Sequence, residues 1–288
     1  MQTMTPTSKL KLMILVLIVC LISSCITLLR IGMKHRTEAT EEPVNCAAFK
    51  IDPIIGHHSS RLSRQQVWAK SHFHKQQMKH QIVTNDRVGR RFFQRNWEPS
   101  YSCTALARFG CPGDGGKWIC DPHHFLMDEC VVYSFGSNDE FSFEEAIHHF
   151  NPKCRIYTFD PFSSQPVNKP DFVKFYPWGI GAWDSAKDFI FTLPTIMRKL
   201  HHKNITILKV DCEGCELELD ASSFPVHKGS IQQIQMEVHF DGIPKRVHSL
   251  FNFLTSNGYA IFNKEANIQY SDGDAVEFSL LFVDGHSL

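Results

Sequence analysis

The sequence predicts an α/β domain built on a seven-stranded, mostly parallel sheet with an antiparallel final hairpin and helices on both faces. Two observations carry this expectation. Beyond Cys130, short β-branched or aromatic runs alternate with helix-like segments, which is how strands covered on both faces read. The last two runs are separated only by the polar stretch "KEANIQYSDGD", too short for a crossover helix, so they are expected to pair antiparallel.

The expected strands are Val131 to Phe135, Arg155 to Phe159, Val173 to Tyr176, Thr206 to Val210, Ile231 to Val238, Tyr259 to Asn263 and Val276 to Val283. A chain of 288 residues with 43% hydrophobic content can bury a core for such a sheet. Its formal net charge is zero, which argues against a nucleic-acid partner, because phosphate binding needs clustered Lys and Arg.

Three regions are expected along the chain: 1–32, 33–96 and 97–288. In the first, Lys9 and Lys11 precede an uncharged apolar run from Leu12 to Leu29, and Arg30, Lys34 and Arg36 follow. As a helix this run spans roughly 27 Å, enough to cross a bilayer core, and reads as an uncleaved signal anchor. A cleaved signal peptide, leaving a secreted protein, is the alternative. Residues 33–96 read as a polar, His-rich stem with helical segments, whose His72, His74 and His80 are expected to be solvated. From Trp97 to Cys130 the chain is rich in Gly, Pro and Cys, and reads as a loop-rich, disulfide-pinned approach to the core.

Outside the apolar run there are eight cysteines: Cys46, Cys103, Cys111, Cys120, Cys130, Cys154, Cys212 and Cys215. An even number suits an oxidising compartment, and the sequon Asn204-Ile205-Thr206 adds weak support for a glycoprotein. The expectation is a single-pass protein of the secretory pathway, in the Golgi, with a lumenal domain and a cytosolic N-terminus. Cys130 and Cys154 immediately precede neighbouring strands and are expected to form a bridge.

In a sheet of this class the ligand lies outside the carboxyl ends of the strands, where strand order reverses. The first such end reads Ser134-Phe135-Gly136-Ser137-Asn138-Asp139, with one glycine where a dinucleotide loop would carry GxGxxG. That disfavours a nicotinamide oxidoreductase. A ligand without phosphates needs one close turn and polar groups, which describes S-adenosylmethionine. Ser134, Gly136, Ser137 and Asn138 are therefore candidate cofactor contacts. Asp160 ends the second strand, where a carboxylate can accept ribose hydroxyls, and Phe162 is placed to flank the adenine. Gly179, after the third strand, is a candidate for close approach at the adenine edge.

The fourth strand runs into "ILKVDCEGCELEL", Ile207 to Leu219. This DxEGxE form, with Lys209 two residues upstream, resembles the FkbM-type S-adenosylmethionine-dependent methyltransferases. "GGKWIC", "CVVYSFGSNDEFSFEEA" and "CRIYTFDPF" are similar to the animal proteins related to methyltransferase-like protein 24. The resemblance covers Trp97 to the C-terminus. It implies a Rossmann-like class I methyltransferase fold, S-adenosylmethionine as cofactor, and methylation of a hydroxyl on a glycan or small molecule. In that pattern Cys212 and Cys215 occupy variable positions, so a redox role for the CxxC is not expected.

A hydroxyl acceptor needs activation by a base or a metal. Asp211 ends the fourth strand, and Glu237 and His239 share a face at the end of the fifth. These three are the candidate catalytic residues. Asp211 is also a candidate to orient the methionine moiety. Together the three are candidate ligands for Mg²⁺ or Mn²⁺. The competing reading is a catalytically silent lumenal binding or scaffold protein with the same fold.

Overall fold

Val131 to Phe135, a run of apolar and aromatic residues, forms the buried strand β3, from whose two sides the sheet grows in opposite directions. The computed structural model describes residues 88–283, apart from 113–114, 164, 221–222, 225–228 and 272. The expected signal anchor, residues 33–87 of the expected stem, and His72, His74 and His80 lie outside the described residues, whereas residues 88–96 of the stem are described. No helix among the described residues is long and apolar enough to cross a membrane.

The strands are β1 (Leu106–Phe109), β2 (Lys117–Cys120), β3 (Val131–Phe135), β4 (Arg155–Phe159), β5 (Val173–Tyr176), β6 (Gly179–Ile180), β7 (Ile190–Phe191), β8 (Ile205–Val210), β9 (Ile231–His239), β10 (Tyr259–Ala266) and β11 (Ala275–Phe282). The helices are α1 (Gly89–Arg95), α2 (Pro122–Phe125), α3 (Ser142–Phe150), α4 (Leu193–Lys199), α5 (Pro244–Ser256) and α6 (Ile268–Ser271). Seven strands form the main sheet in the order β10-β11-β9-β8-β3-β4-β5. The pairs β3–β4, β4–β5, β3–β8 and β8–β9 are parallel, whereas β9–β11 and β10–β11 are antiparallel. Strand order therefore reverses between β3 and β8, the switch point at which such sheets open a crevice.

Every expected main-sheet strand is present, and the final hairpin is antiparallel as its short connection requires. Its two strands run longer on the connecting side, to Ala266 and from Ala275, because the short α6 closes the hairpin.

The two faces of the sheet differ. On one, Tyr133, Phe135, Phe159, Leu208, Val210 and Met236 pack with α4, α5 and Phe92 and Phe93 of α1 in one apolar cluster. On the other, Val132, Ile156 and Ile207 pack against Phe143 and Ile147 of α3 and against Phe109 and Ile119. The second face also carries a buried polar row. Thr158, Ser134, Lys209, Gln235 and Ser279 follow one another across five strands in register.

The β1–β2 hairpin explains part of that row, and the sequence reading, which saw only loop here, did not anticipate it. The hairpin lies over the sheet and leaves one edge of β2 without a strand partner. Gln233 receives the Cys120 N–H at 3.0 Å and donates to its carbonyl at 2.8 Å, and Gln235 donates to the Trp118 carbonyl at 3.1 Å. Side-chain amides thus satisfy backbone groups that burial would otherwise strand. Bridges join Cys103 to Cys120 and, as expected from strand adjacency, Cys130 to Cys154.

Candidate functional site

The turn after β3 holds one glycine because the chain crosses itself there. Gly136 has φ +79°, and a Cβ on it would overlap the Asp211 carbonyl oxygen at the end of β8. Only glycine takes both the left-handed backbone and the close crossing without strain. The Lys209 ammonium donates to the Gly136 carbonyl at 2.9 Å, tying the two strand ends together. Asn138 and Asp139 continue the turn with φ +45° and +60°.

Asp160, just past β4, is buried against this turn. Its Oδ2 accepts the N–H groups of Ser137 and Asn138 at 3.2 and 3.1 Å, and its Oδ1 accepts that of Phe162 at 2.9 Å. Asp160 therefore shapes the loop as well as bordering the crevice. The Phe162 ring beside it is 96% exposed and open at the rim. Ser134 lies inside the buried polar row, and its Oγ has no hydrogen-bond partner among the described residues. Gly179 permits a close approach, but to Ile190 and Pro161, within the small β6–β7 sheet.

Charged side chains fill the neighbouring strand ends. Asp211 Oδ2 is 2.9 Å from Lys117 Nζ and 3.3 Å from Lys209 Nζ. Lys117 also donates to Glu277 Oε1 at 2.6 Å. Glu277 of β11 faces Glu237 of β9 as its register partner. Asn267 donates to Glu237 Oε1 at 2.8 Å. His239 is fixed by Glu216, whose Oε1 lies 3.0 Å from the ring Nδ1 and accepts the His239 backbone N–H at 2.9 Å. The ring Nε2 faces Glu213 Oε2 at 3.2 Å and Glu237 Oε2 at 3.6 Å.

These contacts set the protonation of the cluster. Burial disfavours the charged form of Asp211, but Lys209 and Lys117 overcome it and hold the carboxyl well below the usual range. Burial, with Asp211 alongside, pushes Glu237 up to about 8. Burial would lower His239, yet Glu216, Glu237 and Glu213 outweigh it and raise the ring to about 9. Lys117 keeps its charge in the same way: burial opposes it, and Glu277 and Asp211 more than offset the cost. A carboxylate held as an anion by two lysines thus adjoins a carboxyl whose hold on its proton burial has strengthened.

The three candidate catalytic residues are brought together, but as two groups sharing Glu237. In one, ligand atoms of Glu213, Glu237 and His239 lie within 4.8 Å of one another; in the other, those of Asp211, Glu237 and Glu277 do. Asp211, Glu237 and His239, the metal set expected from the sequence, do not form one such group: Lys117 and Lys209 engage Asp211, and Glu213 lies beside the imidazole.

The sequence reading missed Lys117, Glu277 and Asn267 as parts of this cluster. A lone Lys in "GGKWIC" and a lone Glu in "AVEFSLLF" were the available signals. The turn Asp211 to Glu216 is closed by a Cys212–Cys215 disulfide, which the pattern of variable positions did not lead us to expect.

A bound S-adenosylmethionine would present a sulfonium and an ammonium at its methionine end. The surplus of carboxylates at the ends of β8, β9 and β11 suits that charge, and the turn at Gly136 leaves a side-chain-free surface beside it. Ser137, Asn138, Asp160 and Asp211, the cofactor contacts expected from the sequence, border this turn.

No curated protein matches this sequence. Among solved structures, similarity is found to a Methanococcus jannaschii fibrillarin, a pre-rRNA processing protein, at 9% identity and a TM-score of 0.37. That match covers 62% of this chain and 89% of the other. An Aeropyrum pernix fibrillarin with natively bound S-adenosylmethionine matches at 14% identity and a TM-score of 0.35, over 54% and 68% of the two chains. A Burkholderia thailandensis 1,6-didemethyltoxoflavin-N1-methyltransferase matches at 10% and 0.34, over 56% and 75%. A protein family described as a methyltransferase domain matches residues 51–282, which include the whole sheet and the site. The chain belongs to this family and is an S-adenosylmethionine-dependent methyltransferase.

Proposed function

We propose that this enzyme is a membrane-anchored, lumenal O-methyltransferase that methylates a hydroxyl of a glycan or small molecule. The observation that carries the reading is the convergence of Glu237 and His239 on the strand end beside Asp211 and the Gly136 turn. Methyl transfer from a sulfonium needs the acceptor in line and, for a hydroxyl, a place for its proton. The side chains at the ends of β8 and β9 supply that place. The cofactor supplies an electrophilic methyl group. Ser137, Asn138 and Asp160 hold its nucleoside end, and Phe162 covers the adenine from the rim.

The resemblance to FkbM-type enzymes supports hydroxyl chemistry. The disulfides support an oxidising compartment, as does the exposed Asn204 of the sequon. The apolar run Leu12 to Leu29 supports anchorage.

The test is transfer of labelled methyl from S-adenosylmethionine by the full chain to a panel of lumenal glycans and small hydroxylated molecules. His239→Ala is expected to depress the rate while leaving cofactor affinity nearly intact. Asp160→Ala is expected to weaken cofactor binding by about 1 to 3 kcal/mol, the scale of charged hydrogen bonds left unmade. Cofactor binding without transfer to any hydroxyl would favour the silent binding protein.

A further inference from the structure

The ring of His239 is oriented as a ligand is. The fully buried Glu216 holds its Nδ1 and its backbone N–H, so Nε2 is turned towards Glu213 and Glu237. A carboxylate behind an imidazole fixes ring orientation and tautomer and makes the far nitrogen a better donor to a metal. Glu213 reaches this point from the turn closed by the Cys212–Cys215 bridge, while Glu237 approaches from within the sheet.

A second observation is an unpartnered oxygen in the adjoining acidic group, which shares Glu237 with this site. Glu277, 6% exposed, uses Oε1 for Lys117, but its Oε2 has no hydrogen-bond partner among the described residues. It stands directly across from Glu237, with ligand atoms of Asp211, Glu237 and Glu277 within 4.8 Å of one another. Among the described residues, five acidic side chains, Asp211, Glu213, Glu216, Glu237 and Glu277, face three basic ones, Lys117, Lys209 and His239, besides the neutral donors Asn267 and the Gly214 N–H. A buried carboxylate oxygen without a donor or a cation is costly.

We propose that Glu213, Glu237 and His239 Nε2 bind one divalent cation of the Mn²⁺ or Zn²⁺ class. An imidazole with two carboxylates suits these ions better than Mg²⁺ or Ca²⁺, which favour all-oxygen shells. The role of the cation rests on the reading of this site as the acceptor end of the enzyme. There it replaces a side-chain base as the activator: it polarises the acceptor hydroxyl, whose proton then passes to solvent and not to Glu237 or His239. The oxygen then bonds to the methyl carbon as the carbon–sulfur bond breaks with its electron pair on sulfur. The products are a methyl ether and S-adenosylhomocysteine.

The test is direct titration of the chelator-stripped full chain with Mn²⁺, read by electron paramagnetic resonance without cofactor or acceptor. The chain has sixteen histidines that compete for added metal, so the informative quantity is the difference between the native protein and Glu213→Gln. Glu213 is exposed, its side chain 85% accessible, so this variant is expected to fold. The expected result is one site per chain weakened by at least the roughly 10- to 100-fold that loss of an orienting partner costs, by Glu213→Gln and by His239→Ala. Equal binding by native protein and Glu213→Gln, or no bound Mn²⁺ at millimolar concentration, would overturn the proposal. Cation binding that passes this test alongside absent O-methylation would sink the acceptor reading and leave the site standing.

Discussion

The ion cluster beneath the β1–β2 hairpin offers the most demanding check of this structure. Lys117 has a side chain only 1% exposed and is shared by Asp211 and Glu277, themselves 12% and 7% exposed. Lys117→Met keeps the apolar stem but withdraws the ammonium, leaving two buried carboxylates that lose a shared partner. Removing one member of a buried pair costs about 3 to 5 kcal/mol, far more than the pair's net contribution to stability. For a domain of this size that is roughly 6 to 20 °C in melting temperature. Thermal unfolding of the full chain by circular dichroism measures it. The double variant Lys117→Met, Glu277→Gln removes one orphaned charge and should recover a substantial part of the loss. A single variant melting within about 2 °C of the native protein, or a double variant no better than the single, would refute the reasoning.

Gly136→Ala forces a left-handed alanine, at about 1 to 2 kcal/mol, against the Asp211 carbonyl. Calorimetry should show weakened S-adenosylmethionine binding together with lower stability; unchanged affinity would detach this turn from the cofactor. His202 sits 2.7 Å from the Tyr133 hydroxyl, and burial, then the nearby Arg155, Lys174 and His201, lowers its basicity. Because its folded value lies below the unfolded 6.5, its contribution is present above that pH and is lost as pH falls below it. His202→Gln should therefore flatten the native loss of melting temperature on acidification, and parallel pH curves would exclude the assignment. Replacing Cys130 and Cys154 by Ala opens a loop with a sequence separation of 24, costing about 3 kcal/mol. Peptide mapping without reductant should show these two joined and Cys212 joined to Cys215, and a free thiol at any of the four would contradict the structure.

The sequence by itself determined the sheet. Apolar runs such as "VVYSF" and "RIYTF" have no alternative to burial on both faces, and the short link before the last run forced an antiparallel hairpin. It also marked the turn at Gly136 and the acidic strand ends at Asp160, Asp211 and Glu237, since those positions follow from where each strand stops. Only the tertiary structure decided how the acids are partnered. Lys117 reaches Asp211 from 94 residues away and Glu277 from 160, distances along the chain at which no local pattern carries information. The hairpin that delivers Lys117 reads as loop because its strands are four residues each, and its unpaired edge is satisfied by glutamines of β9 that look like surface residues in sequence. Whether His239 meets Asp211 or Glu213 depended on the path of the turn after β8. That path is set by the left-handed Glu213 and Gly214 and by the Cys212–Cys215 bridge, three-dimensional constraints that spacing alone does not express.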